Sequence, residues 1–199
     1  MKRLLLDTNI YGEMIFDAEY NSIKENIAKK VVVHGFKVVR DELRDVPRSS
    51  RISGRNLRVA LLHIYDEIVK KSYIVDSIVK DLAEKYYIQY KQIGGNHGHD
   101  KMIADFSVVA CATIHQIDIV VSEDNKTMLI ENALKAYNII NISIQKRTPN
   151  FIGYLDFKRL LLEWTPLLLS KIQDHFSILQ SSYRYRLSFF VLSFSLLLE

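Results

Sequence analysis

Apolar and polar positions along the chain alternate between two periods. Arg3-Leu4-Leu5-Leu6 is a short unbroken apolar run, the pattern of a strand buried on both faces. Asp7-Thr8-Asn9 behind it supplies N-cap chemistry for a helix that starts there. Phe36 to Arg40 reads as a second strand, set off by Gly35, and a short helix over 41–45 stops near Pro47. Residues 48–56 form a polar break containing Gly54. Leu57, Leu61, Ile64 and Ile68 recur at helical spacing, as do Val75, Ile78, Val79, Leu82, Tyr86 and Tyr90. They predict an antiparallel helical pair turning near Lys71-Ser72. Gly94-Gly95-Asn96-His97-Gly98 breaks the pattern before a long helix from Asp100 to His115. A strand at 119–122, a helix over 126–136 and a strand at 139–144 follow. Strands alternating with helices predict an α/β fold, a parallel sheet covered by helices.

Past Pro149 the character changes. Residues 154–163 look helical, Pro166 interrupts, and 187–198 is a nearly continuous apolar run. As a helix that run spans roughly 18 Å, short of a bilayer core of about 30 Å. It reads as a packed or oligomerising tail, and no spanning membrane segment is expected. The expected division is an α/β domain over 1–150 and a C-terminal helical, apolar extension over 151–199.

Composition narrows the classes without choosing among them. With 199 residues, 48% hydrophobic and 25% charged, the chain can bury a core without disulfides. Its single cysteine, Cys111, excludes an internal disulfide and a Cys-rich zinc site. No signal-peptide pattern opens the chain, so a soluble, reduced, cytoplasmic protein is expected. The net charge of +4 is unevenly spread: residues 24–58 carry ten basic and four acidic side chains. That segment ends in Arg44, Arg48, Arg51, Arg55 and Arg58, a candidate surface for a polyanion such as RNA.

Four acids carry the chemistry. In a parallel α/β sheet, sites form beyond the carboxyl ends of the strands. Asp7 follows the first expected strand, Glu42 lies two residues past the second, and Asp124 lies two residues past Ser122 at the end of the third. Asp105 shares a helix face with Val109 and Ala112, and a carboxylate on an apolar stripe is costly without a partner. That helix runs against its strand, so its N-terminus lies at the same sheet edge. Carboxylates gathered there repel one another unless a cation neutralises them. Hard oxygen donors without convergent His or Cys point to Mg²⁺ or Mn²⁺, which can position a phosphodiester and activate water.

Leu5-Leu6-Asp7-Thr8-Asn9, Val39-Arg40-Asp41-Glu42-Leu43, Asp105-Phe106-Ser107-Val108-Val109-Ala110 and Val121-Ser122-Glu123-Asp124-Asn125, in that order over residues 3–145, resemble the PIN domain. More closely, the pattern is similar to the archaeal-type VapC toxins of type II toxin–antitoxin pairs. The resemblance implies a three-layer α/β/α fold with a central parallel sheet of four to five strands and a helical-pair excursion over 55–92. It implies a metal-dependent endoribonuclease, with a small antitoxin protein and a homodimer as partners. Asp7, Glu42, Asp105 and Asp124 match the family's acidic positions. Ser122 falls where the family places a hydroxyl near the metal, and Asn9 is the Asn of its opening motif.

Other candidates carry less. Asp100 reads as an N-cap or an outer-shell acid. His97 and His99 sit in a Gly-rich loop without further His ligands, and Cys111 reads as a small core residue without a basic partner. Tyr86, Tyr87 and Tyr90 read as helix packing before base stacking. An aspartyl phosphatase of the haloacid dehalogenase type also begins with a strand and Asp. It needs a second acid where this chain has Asn9. An RNA-processing PIN nuclease outside a toxin–antitoxin pair, or a degenerate PIN scaffold that only binds RNA or protein, are the remaining alternatives.

Overall fold

The computed structural model describes residues 1–162. The expected role of the apolar tail lies outside the described residues. Five strands form one parallel sheet in the order β5-β2-β1-β6-β7. They are β1 (Lys2–Leu6), β2 (Val31–Phe36), β5 (Val69–Tyr73), β6 (Ile119–Val121) and β7 (Asn150–Ile152). Leu4, Leu5 and Leu6 of β1 are all buried, as a central strand covered on both faces requires. β1 pairs with β2 on one side and β6 on the other, with Leu5 opposite His34 and Val120.

From β1 the chain first builds outward through α1 (Thr8–Phe16), α2 (Tyr20–Lys30), β2, α3 (Lys37–Asp45) and α4 (Leu57–Ile68) to edge strand β5. It then returns through α5 (Ser77–Gln92) and α6 (His99–Ile114) to β6 on the far side of β1, and closes with α7 (Glu131–Ser143), β7 and α8 (Tyr154–Leu162). α1 packs with α2, α3 and α4, and α5 packs on α6 and α7. Right-handed crossovers place the first group on one face of the sheet and the second on the other. The order reverses between β1 and β6, and the carboxyl end of that pair is the topological switch point where such sheets hold ligands. Among the described residues, no helix is long and apolar enough to cross a membrane.

Several sequence expectations move. The second strand is Val31–Phe36, not 36–40, and residues 37–45 are one helix with Val39 and Leu43 buried. His34 and Gly35 hide the strand, while Val39 and Leu43 at i, i+4 are the helical signal. Glu42 therefore sits in the middle of α3. Both helices of the expected pair exist, but the turn between them is β5, whose exposed Lys70 and Lys71 are edge-strand residues. Residues 139–143 continue α7, which Ile144 caps, with Ile139 and Ile142 exposed, and the last strand is β7. The polar break holds a small hairpin of β3 (Arg51–Ile52) and β4 (Arg55–Asn56). Ser53 and Gly54 at its tip adopt φ 46° and 78°, as a tight hairpin turn demands. The compact unit spans Met1–Leu161, so the expected boundary at 150 falls on the sheet's last strand.

His34 carries a pH signature. It is 8% exposed, and neither ring nitrogen has a hydrogen-bond partner. Its ring stacks on Tyr73 at 5.6 Å, and Tyr73 stacks on His115 at 3.7 Å. Burial lowers its pKa first, helped by the charges of Arg3, Lys71 and His115 against an opposing Asp118. The folded protein thus holds His34 neutral while the unfolded chain takes up a proton. Stability should fall as pH drops below the ordinary value of 6.5 towards the lowered one. Urea unfolding at about pH 7 and about pH 5 should show a smaller acid loss in His34→Phe than in wild type. Equal losses would remove His34 as the cause.

Candidate metal centre at the carboxyl edge of the sheet

Asp7 leaves β1 at the switch point, 6% exposed, and caps α1. Its Oδ1 accepts the Thr8 N–H at 2.7 Å. Its Oδ2 accepts Ser122 Oγ–H at 2.6 Å and Asn9 Nδ2–H at 2.8 Å. Ser122, 1% exposed at the end of β6, also accepts the Asp124 N–H at 3.0 Å through its Oγ. Asn9 Oδ1 accepts the Glu123 N–H at 3.2 Å. Asn9 and Ser122 therefore tie the start of α1 to the loop after β6 and aim the Asp7 carboxylate.

Asp124 closes a turn: its Oδ1 accepts the N–H groups of Lys126 (2.8 Å) and Thr127 (3.0 Å), and its Oδ2 accepts Thr127 Oγ1–H. Glu42 reaches in from α3 and accepts Thr8 Oγ1–H. Asp105 is half-buried on α6, with the Thr127 side chain near enough to act on its carboxyl. The electrostatics bind the four together. Burial pushes Asp105 up to about 7; Thr127 opposes this, and the charges of Asp7, Asp124 and Glu42 reinforce it. Asp7 is raised by burial and by Asp124 against its hydrogen bonds. Glu42 is raised by desolvation of its carboxylate and by Asp7 and Asp45, although the residue as a whole is exposed. Burial also pushes Asp124 upward, but its hydrogen bonds to Thr127 and Lys126 outweigh that and hold it low.

No ion pair joins these four acids to a Lys or Arg among the described residues. Uncompensated carboxylates of this kind suit a hard divalent cation. The donor set fits in chemistry, while among the described residues no three His, Cys, Asp or Glu side chains are grouped closely enough to hold a metal ion. Thr8, Thr127 and Lys126 were not singled out from sequence. The Asp124-to-Thr127 interval, a carboxylate followed three residues later by a hydroxyl, was the available sign of a side-chain-closed turn.

The remaining candidates fall elsewhere. Asp100 is exposed in the first turn of α6, pairs with His99 Nδ1 at 3.5 Å, and is not the N-cap, which is Gly98. His99 Nε2 meets Glu84 at 2.8 Å and His97 Nδ1 meets Lys101 at 3.4 Å, so the two histidines do not converge. Cys111 is buried, and burial raises its thiol to about 12. Tyr86 and Tyr90 are fully buried around Phe106 and Tyr137 in edge-on ring contacts, which makes them core. Of the arginines, Arg44 pairs with Asp41 at 3.6 Å and Arg58 donates to the Val46 carbonyl at 2.7 Å. Arg51 donates to the Arg48 carbonyl at 2.6 Å, and Arg48, Arg51 and Arg55 are exposed around the hairpin.

No protein-family model and no curated protein matches this sequence. Solved structures do. A chain of VapBC2 from Rickettsia felis, in a crystal bound to a DNA fragment from their promoter, superposes with a TM-score of 0.51 at 14% identity, covering 76% of this chain and 98% of that one. A chain of DNA-bound VapBC from Salmonella typhimurium gives 0.50 at 12% identity, covering 77% and 99%. At such identities the likeness speaks to architecture. The parallel five-stranded sheet, its switch point between β1 and β6 and these superpositions give the chain the PIN-like α/β/α fold seen in VapBC complexes.

Proposed function

We propose that this chain is a metal-dependent endoribonuclease and the toxin of a toxin–antitoxin pair. The observation that carries the reading is the uncompensated cluster at the switch point, with Asp105 raised to about 7 by burial and by three neighbouring acids. Such strongly perturbed groups concentrate at functional sites. Asp7, Asp105 and Asp124, with Glu42 directly or through water, would hold Mg²⁺ or Mn²⁺. When bound, the cation supplies Lewis-acid stabilisation of a scissile phosphate and lowers the pKa of water. The chain's own groups do the placing: Ser122 and Asn9 aim Asp7, Thr8 holds Glu42, and the 124–127 turn orients Asp124. The VapBC complexes that share the fold support a small antitoxin partner, and a homodimer is part of the same proposal.

The test is cleavage of single-stranded RNA by the full chain. Chelation should abolish it, added Mn²⁺ should restore it, and Asp7→Asn should be inactive with metal present. Full activity in excess chelator would overturn the reading. The basic segment is tested separately. Replacing Arg48, Arg51 and Arg55 together by Ala should weaken RNA binding and flatten its salt dependence, by up to about 0.7 in slope per lost phosphate contact on a single strand. An unchanged slope would make the arginines an ordinary solvated surface.

A further inference from the structure

We propose that the stacked rings of His34, Tyr73 and His115 form an acid-released latch that holds edge strand β5 on the sheet. β5 lies at the outer edge and pairs with β2. None of its residues is fully buried, and Lys70, Lys71 and Ser72 are exposed. The ladder is weak there. Its register shifts between Val33 and His34, and the pairs that follow are His34 with Lys71, Gly35 with Ser72 and Phe36 with Tyr73. Gly35 brings no side chain to a cross-strand contact. On its face of the sheet, the hold on β5 is a hydrogen bond of 3.0 Å between Tyr65 OH and Ser72 Oγ. The rings stand on the opposite face, since successive side chains alternate. Tyr73 stacks on His34 at an interplanar angle of 17° and on His115 at 7°. His115 is the C-cap of α6, so one column of rings joins β5 to β2 and to the helix layer.

Such a column holds only while it is neutral. Both nitrogens of His34 are buried without a hydrogen-bond partner, so a proton taken up in place would be a charge with neither water nor acceptor. Its neighbours do not relieve that charge. Arg3 of β1, Lys71 of β5 and a protonated His115 repel it. Lys71 Nζ stands 4.9 Å from the centre of the Tyr73 ring. Asp118, before β6, opposes them but is already engaged. It accepts the Arg3 N–H at 2.8 Å and pairs with the Arg3 and Arg147 side chains at 3.7 and 3.5 Å. Asp76, the N-cap of α5, favours charge on His115, although its Oδ1 is bound to the Val79 N–H at 2.9 Å. Swinging β5 away breaks the stack and admits water to His34, so proton uptake favours each opening. The rest of the sheet can stay in place, because β2 remains paired with β1. The general loss of stability in acid follows from the same histidine; the latch adds that β5 comes away first, whether or not the chain is a nuclease.

Hydrogen exchange of the folded full chain, in increasing but sub-denaturing urea, tests the latch. Exchange through a local opening depends little on urea, whereas exchange through global unfolding carries the full dependence. The β5 amides bonded to β2 should exchange ahead of those of β1 and β6, with little urea dependence. Between about pH 7 and about pH 5 their protection, corrected for intrinsic exchange, should fall by up to about 25-fold, the ceiling for one histidine with an ordinary value of 6.5 once opened. Most of that fall should vanish in His34→Phe, which keeps a ring to stack and cannot ionise. The remainder should vanish when His115→Phe is added. If His34→Phe does not fold, the wild-type chain still decides through its urea dependence. β5 amides that share the protection and the urea dependence of β6 at both pH values overturn the latch, because acid would then act only through global unfolding. A fall of less than about twofold at β5 overturns it as well. So does a fall that persists undiminished in His34→Phe.

Discussion

Asp105→Asn should give a protein that is folded, inactive and, without metal at alkaline pH, more stable than wild type. The folded pKa of Asp105 is about 7 against an ordinary 3.8. Between those values the folded chain keeps a proton that the unfolded chain has released. Stability therefore declines as pH rises through that window, and the loss is complete once pH passes the folded pKa. Asparagine cannot ionise and escapes the penalty. About three units at roughly 1.4 kcal/mol each put the gain on the order of 4 kcal/mol at about pH 8 in chelator. Activity should drop by about a hundredfold or more, since groups that merely orient a ligand already cost up to that much. The measurements are urea unfolding in chelator at about pH 5 and about pH 8, and RNA cleavage with Mn²⁺. A variant that cleaves like wild type, or one that is less stable at the higher pH, would mean that the carboxylate serves packing.

The fold class and the sheet-edge places of Asp7 and Asp124 were legible in the sequence, several strand boundaries were not, and the reason is physical. Asp7 and Asp124 follow β1 and β6, two strands whose interior residues are apolar on both faces and cannot be misread. Asp105 stood out because it shares a helix face with the apolar Val109 and Ala112, both of which are buried. The strands that were misplaced lack that pattern. β2 spends two of its six positions on His34 and Gly35. Gly35 is required there because a Cβ would lie 2.1 Å from the Tyr65 hydroxyl, a long-range fact with no local trace. β5 carries lysines because it is an edge. α7 imitates a strand because Ile139 and Ile142 face outward, where no core selects for helical spacing. The role of Thr8 depends on a carboxylate from a distant element, Glu42, and only the fold brings the two together.

Phe157→Ala should destabilise the protein by about 3–5 kcal/mol, the usual cost of emptying a large aromatic site in a core. Phe157 lies on α8, past the boundary expected at 150, yet it is fully buried. The helix is held to the rest of the unit at several points. The Glu123 carboxylate accepts the Tyr154 N–H, Tyr154 OH donates to Asp17 at 2.9 Å, and Lys158 donates to Asp17 at 2.8 Å. Lys30 reaches the Leu161 carbonyl at its far end. Leu155 on the same helix is 66% exposed, so Leu155→Ala should change stability by no more than about 0.5 kcal/mol. The pair separates two pictures of the region. If α8 completes the domain core, only the Phe157 variant loses stability, and it loses it in the same cooperative transition as the sheet. If α8 is an appended extension, both variants unfold at the wild-type urea midpoint, and the domain ends before it. Glu123 lies between Ser122 and Asp124, so an unseated α8 should also loosen the loop that carries Asp124. The Phe157 variant is then expected to bind Mn²⁺ more weakly even at temperatures where it remains folded.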